Sequence, residues 1–120
     1  MTETRTWRVL SAGTLKGDNV VNAKGEKLGT LEELMIDLDS GRIAYAVLSF
    51  GGFLGMGDKL FAIPWSALTV DTVEKRLVLN VVKEQLENAP GFDKDKWPNM
   101  ADQTWGAKVY GYYGSRPYWE

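Results

Sequence analysis

Short apolar runs alternate with tight polar turns along the chain, a pattern typical of a small β-protein. Asn19 to Asn22 is β-prone, the turn Ala23-Lys24-Gly25 follows it, and apolar residues then mostly alternate along Lys27 to Asp37. The turn Asp39-Ser40-Gly41 leads into Arg42 to Phe50, which is rich in β-branched and aromatic residues. These segments predict two consecutive hairpins, the second of which ends in a mostly buried strand.

The next part of the chain predicts three more strands. Lys59 to Ile63 forms a short apolar run that ends at Pro64, and Trp65 to Leu68 predicts one helical turn. Thr69 to Asp71 and Arg76 to Val82 predict a last pair of strands. The fold class is therefore mainly β, with six strands that can close into a small barrel over residues 19–82.

Two flanking segments differ in composition from the predicted barrel. Residues 1–18 are mostly polar and predict a flexible lead-in with a short turn at Ser11 to Leu15. Residues 83–120 predict a short helix over Lys83 to Ala89 that Pro90-Gly91 ends, followed by an aromatic-rich extension. Glycine and proline punctuate residues 97–120, so we predict no regular element longer than a turn or two there.

Composition narrows the chemistry that the chain can perform. The 120 residues suit one domain, and the absence of histidine and cysteine removes the commonest general base and the usual zinc ligands. The net charge is −2, with 14 basic and 16 acidic residues interleaved, so no basic stripe favours nucleic acid as a partner. We expect no enzymatic activity, catalytic residue, cofactor or metal site.

The hydropathy of the chain bears on its location. The N-terminal residues are polar and carry no signal-peptide pattern, and apolar stretches such as Ile43 to Phe50 are too short to span a membrane. We therefore expect a cytoplasmic protein that is at most peripheral to a membrane.

Turns and core positions from Asn19 to about Leu79 are spaced as in a known family. They comprise Val20 to Gly29, Leu34 to Gly41, Tyr45 to Leu48, the loop Gly51 to Gly57, and Ala62 to Trp65. This stretch resembles the PRC-barrel family, named for the cytoplasmic domain of the photosynthetic reaction-centre H subunit. The resemblance implies a compact six-stranded barrel used for docking, and it includes no catalytic signature.

Two segments are similar to known binding loops but depart from them. Asp37 to Gly41 begins like a calcium loop, yet its glycine comes one place early and Leu48 stands where a bidentate glutamate is needed. The glycines of Gly51 to Gly57 precede Lys59 without the order of a phosphate loop. A hairpin turn and a mobile loop are the favoured interpretations.

The candidate interface residues are large apolar side chains on the loop, after the fourth strand and in the extension. The loop residues either form an exposed apolar patch or cap one barrel end, and the extension rings either pack on the barrel or on a second copy. The candidates are Phe53, Leu54, Met56, Trp65, Trp97, Trp105, Tyr110, Tyr112, Tyr113, Tyr118 and Trp119.

Three hypotheses for function follow from these observations. The first is a non-enzymatic protein-interaction or assembly module that self-associates, with a homodimer favoured and any other protein partner unknown. The second is a small-molecule or anion binder whose site lies between the Gly51 to Gly57 loop and Trp65, and which would need a concave pocket. The third is a peripheral component of a membrane complex.

Overall fold

One seven-stranded sheet forms the centre of the computed structural model, which describes residues 8–50 and 59–120. The strands are β1 (Asn19–Val21), β2 (Lys27–Ile36), β3 (Ile43–Phe50), β4 (Lys59–Pro64), β5 (Leu68–Asp71), β6 (Arg76–Leu79) and β7 (Gly91–Asp93). The helices are α1 (Ala12–Leu15), α2 (Lys83–Glu87) and α3 (Gln103–Tyr112), and Trp65–Ala67 makes one 3-10 turn. The predicted turns at Ser11 to Leu15 and at Trp65 to Leu68 are thus confirmed, as is the short helix after residue 82.

The strand order is β5-β6-β1-β2-β3-β4-β7, and neighbouring strands are antiparallel except for β1 and β6, which are parallel. The six predicted strands all form, but the prediction of a closed six-stranded barrel is wrong within the described residues. The second edge of β4 pairs with β7 at Lys59 to Phe61, and the 3-10 turn separates β4 from β5. The sheet therefore stays open, with β5 and β7 at its edges.

Short-range hydrogen bonds fix the two hairpin turns. Gly25 and Gly41 have φ values of +82° and +75°, which glycine adopts without steric strain. The Asn22 side chain accepts from the amides of Lys24 and Glu26 at 3.0 Å each. Asp37 accepts from the Ser40 hydroxyl at 2.5 Å, and this bond is the main cause that lowers the pKa of the carboxyl. The Asp37 to Gly41 segment is therefore a hairpin turn, as predicted.

A mainly aliphatic core, here called the inner core, lies on one face of the sheet. Its strand residues include Val20, Leu28, Leu31, Leu48 and Leu77. Helices α1 and α2 add the buried side chains Leu15 and Leu86. Alternation along the strands explains this face, because Ala46, Leu48 and Phe50 of β3 all belong to it.

A second core, here called the outer core, lies between the opposite face of β3–β4 and helix α3. It contains the buried residues Ala44, Tyr45, Ala62, Val109 and Tyr110. Because β3 contributes to both cores, seven of its eight residues are buried.

Helix α3 contradicts the prediction that the extension forms nothing longer than a turn or two. Asp102 caps it by accepting from the Thr104 amide at 2.8 Å, and its inward face buries Val109 and Tyr110. This packing outweighs the low helix propensity of Gly106 and Gly111. Gly106 is needed for close approach, since a Cβ there would collide with the Tyr45 hydroxyl and lie 2.9 Å from the Trp119 ring.

Candidate interaction surface

An open groove of about 560 Å³ lies beside the edge strand β5. Leu68 and Val70 of β5 form one part of its wall, and Leu34 and Ile36 of β2 form another. We call this site the apolar groove, and its lining is Arg8, Val9, Leu10, Ala12, Leu15, Leu34, Ile36, Ile43, Trp65, Leu68, Thr69 and Val70. Within the described residues, no strand pairs with the outer edge of β5 beside this groove.

Three large apolar side chains of the apolar groove are exposed to solvent. Val9 is 88% exposed, Ile36 52% and Leu10 48%. Val9 and Leu10 stand before α1, and the guanidinium of Arg8 donates to the Val70 carbonyl, which fastens this segment to β5. Exposed apolar side chains that cluster in this way mark contact surfaces more often than single exposed residues do.

A second groove of about 500 Å³ adjoins the first and shares Ile43 and Trp65 with it. We call it the basic groove, and its lining is Gly41, Arg42, Ile43, Trp65, Ser66, Tyr110, Arg116, Pro117, Tyr118 and Glu120. Arg42 Nη1 donates to the Tyr118 carbonyl at 2.9 Å, which holds the C-terminal segment against the β2–β3 hairpin. Both segments therefore form one surface.

Trp65 is the predicted candidate that lines both grooves. Pro64 ends β4, and the 3-10 turn that follows leaves the indole partly exposed where the grooves meet. Its position agrees with a role in contact, although the Gly51 to Gly57 loop that was expected beside it lies outside the described residues. Phe53, Leu54 and Met56 fall in that segment as well.

The rings of the extension pack on their own sheet. Tyr110 is buried and its hydroxyl donates to the Ala44 carbonyl, while Trp105 and Tyr118 lie 5.3 and 5.9 Å from the Tyr45 ring centroid. Trp119 lies 6.1 Å from the Tyr110 ring. These contacts place four of the candidate rings in or against the outer core, on the side of β3 away from the inner core.

The remaining candidate rings lie at the margins of the outer core. The Tyr112 hydroxyl donates to the Gln85 carbonyl, which joins α3 to α2, and Tyr113 packs against both cores. Trp97 packs on Phe92 with ring centroids 5.1 Å apart and stays 42% exposed. Among these rings, Trp97 is the one that offers a largely free face.

Ionisation of the buried phenols is unfavourable. Burial raises the pKa of Tyr45 and Tyr113, and it raises that of Tyr110 to about 12. The Tyr45 and Tyr113 hydroxyls have no hydrogen-bond partner among the described residues. These three tyrosines are therefore neutral packing groups at ordinary pH.

The perturbed carboxylates lie in turns. The pKa of Asp71 is lowered, chiefly because the side chain accepts from the Glu74 amide. Asp37 is held by Ser40 in the same manner. Within residues 8–50 and 59–120, no group of three or more acidic side chains is placed to hold a metal ion. No helix in these ranges has the length and hydropathy needed to cross a membrane.

Sequence reasoning missed most of the lining of both grooves. The usable signals were the Val9-Leu10 pair in a polar lead-in, Arg42 near Tyr45, and Arg116 close to Tyr118 and Trp119. None of these signals is specific, because the grooves bring together segments that are far apart along the chain.

The fold described above is a mainly β-domain in which α1 and α2 pack on the inner core and α3 packs on the outer core. The PRC-barrel domain family matches residues 8–86, and the chain belongs to this family. The match ends within α2, so α3 and most of the outer-core rings lie beyond it.

Solved structures include one that is similar over part of the chain. It is a putative 16S ribosomal RNA processing protein, RimM, from Pseudomonas aeruginosa, with 15% identity and a TM-score of 0.43. The similarity covers 62% of this chain and 45% of that one, so the chain spans less than half of that protein. No curated protein matches this chain.

Proposed function

We propose that this chain is a non-enzymatic protein-interaction or assembly module that self-associates, with a second copy covering the apolar groove. The observation that carries the proposal is the exposure of Val9, Leu10 and Ile36 around one groove. Removing such side chains from water contributes about 25 cal/mol per Å² of apolar area. Membership of a family of small barrels supports a role in docking.

A second copy fits the apolar groove for a geometric reason. In a two-fold dimer each chain presents the same patch, so a single contact would cover both sets of exposed side chains. The groove borders the free edge of β5, which is an open strand edge of the kind that proteins cover or pair.

The absence of histidine and cysteine supports a non-enzymatic role. The two carboxylates with lowered pKa values are engaged in turns, and the phenols with raised pKa values are buried in packing. The proposal therefore assigns function to surfaces and not to a reacting group.

Light scattering across a concentration series tests the proposal on the full chain. We expect a dimer for the wild type and a monomer for Ile36→Asp, because the charge would lie in the covered groove. The matched control is Leu38→Asp, since Leu38 is 92% exposed near the same strand end but does not line the groove. A wild-type mass of one chain at every concentration, or equal effects of both variants, would contradict the proposal.

The size of the apolar groove favours a second candidate, a small-molecule binder. Its volume of about 560 Å³ falls in the range of ligand pockets, and Trp65 supplies an aromatic wall. A thermal-shift screen of small apolar and anionic compounds tests it, with Trp65→Ala as the variant that should lose any shift. The cytoplasmic location and the peripheral membrane role remain predictions.

A further inference from the structure

The basic groove concentrates positive charge on a chain whose net charge is −2. Arg42 and Arg116 both line it, and Glu120 contributes the one acidic side chain among its lining residues. Arg8 adds a third guanidinium in the adjoining apolar groove. The side chains that line the basic groove therefore carry one more positive than negative charge.

The two arginines of the basic groove retain donors for a ligand. Arg42 uses Nη1 for the Tyr118 carbonyl and has no carboxylate within ion-pair distance among the described residues. Asp37, whose pKa Arg42 helps to lower, is already engaged by Ser40. The Arg116 Nε to Glu120 Oε1 distance is 3.8 Å and both side chains are largely exposed, so this ion pair is weak.

Large apolar groups stand beside these donors. Trp65 and Ile43 line both grooves, and Tyr118 and Pro117 line the basic groove. A ligand that fits both features must combine a carboxylate with a large apolar group. Guanidinium groups bind carboxylates in a planar, two-bond geometry, and aromatic walls accept apolar side chains.

We propose that the basic groove binds an acidic segment of a partner protein in which glutamate or aspartate neighbours a large apolar residue. Arg42 and Arg116 take the carboxylate, while Trp65 and Ile43 contact the apolar side chain. The inference rests on the proposed function as an interaction module, but it does not depend on self-association. Nucleic acid is disfavoured because two arginines on an acidic chain provide little attraction for a phosphate backbone.

Isothermal titration of the full-length chain with synthetic peptides tests this inference. The probe is a peptide of alternating leucine and glutamate, and the matched peptide has glutamine at each glutamate position. We expect the acidic peptide to bind more tightly by about tenfold, and added salt to reduce that difference. Equal affinities for the two peptides, or binding of neither, would overturn the inference.

Variants locate the binding to the groove. Arg42→Gln should weaken the acidic peptide by about tenfold. Arg116→Gln should weaken binding of the acidic peptide as well. This second variant is needed because Arg42→Gln also removes the Arg42–Tyr118 bond that holds the C-terminal segment. The control is Lys16→Gln, which removes an exposed charge that pairs with Glu33 outside both grooves. Loss of binding in the control equal to that in both arginine variants would show general charge attraction and overturn the inference.

Two further titrations separate the possible ligands and proposals. The first is competition between the acidic peptide and an oligonucleotide. If the oligonucleotide displaces the peptide and binds through the same two arginines with higher affinity, the assignment is overturned in favour of nucleic acid. Light scattering on Arg42→Gln should give the wild-type mass, because Arg42 does not line the apolar groove that the second copy covers. A monomeric wild type that still binds the acidic peptide through Arg42 would support this inference and remove the second copy from the proposed function.

Discussion

The two cores on either side of β3 differ in residue type and in the part of the chain that supplies them. The inner core is mainly aliphatic and lies within the family match except for Ala89, whereas the outer core consists largely of rings supplied after residue 86. Strands hold the first together, while the second relies on a single ten-residue helix and a few long-range hydrogen bonds. The second packed layer is thus supplied mostly by residues that lie beyond the family match.

The tolerance of two buried glycines differs between the cores. A Cβ at Gly29 would collide with the Ser49 backbone carbonyl and lie 2.9 Å from a Leu48 methyl, whereas one at Gly106 would meet only the ends of side chains. The backbone of a paired strand cannot move away from a new Cβ atom as easily as the end of a side chain can. The inner core should therefore be the less forgiving of the two.

Gly29→Ala should have the largest effect, a loss of about 3 kcal/mol in the free energy of unfolding, because the new methyl overpacks a strand pair. Chemical denaturation monitored by circular dichroism measures it. Gly13→Ala is the control, since its Cβ would meet no atom within 4 Å. A loss no greater than that of the control would contradict the close packing of β2 on β3.

The next largest effect should come from alkaline pH, which lowers the free energy of unfolding through ionisation of a phenol in the outer core. Because burial raises the pKa of Tyr110 from 10.0 to about 12, its contribution is complete below pH 10 and is lost as the pH rises towards 12. Tyr110 alone should lower the free energy of unfolding by about 2 kcal/mol at the upper end of this range.

Denaturation of the wild type and of Tyr110→Phe across this pH range checks the effect. The variant lacks the phenol, so its stability should fall less steeply. Parallel profiles would show that the Tyr110 hydroxyl is not as buried as described.

Gly106→Ala should destabilise the chain by about 1.5 kcal/mol, because helix α3 must move away from Tyr45 and Trp119. Gly111→Ala lies on the same helix with no atom near its Cβ, and it should instead stabilise the chain by about 0.8 kcal/mol. Hydrogen exchange should show the Gly106 variant losing protection in α3 before β3. Equal behaviour of the two variants would mean that α3 does not dock through this glycine.

The smallest effects should come from removing single hydroxyls of the outer core, with opposite signs. Tyr110→Phe loses a buried bond to the Ala44 carbonyl and should cost about 1 kcal/mol. Tyr45→Phe removes a buried hydroxyl that has no partner among the described residues, so it should be neutral or stabilising. Thermal unfolding of both variants measures the difference, and a loss at Tyr45 matching that at Tyr110 would refute this account.

The strands were predictable because their signals are local. The turns at Gly25 and Gly41 and the proline that ends β4 are visible in the sequence, and each marks a strand end that the structure contains. Strand β7 was missed because Gly91 to Asp93 is too short to show a pattern and pairs only because β4 offers an edge.

Helix α3 and the grooves were not predictable for a different reason. Glycines at 106 and 111 argue against a helix. Trp105, Val109 and Tyr112 do recur at helical spacing after the Asp102 cap, but the many other aromatic residues nearby hide this pattern. The two adjoining grooves are lined by residues that are far apart in the sequence, such as Arg8, Ile36, Trp65 and Arg116. No local sequence pattern indicates that these residues lie close together. Closure of the barrel likewise depends on which strand takes the edge of β4.

The parallel pairing of β1 with β6 has a consequence for the order of folding. Asn19 pairs with Arg76, so β1 completes its ladder only after the intervening hairpins have formed. During synthesis, β2 and β3 can associate early, while the outer face of β3 waits for α3 to leave the ribosome. The nascent domain therefore passes through a stage in which Tyr45 and its neighbours are uncovered, until α3 and then Tyr118 and Trp119 pack against them.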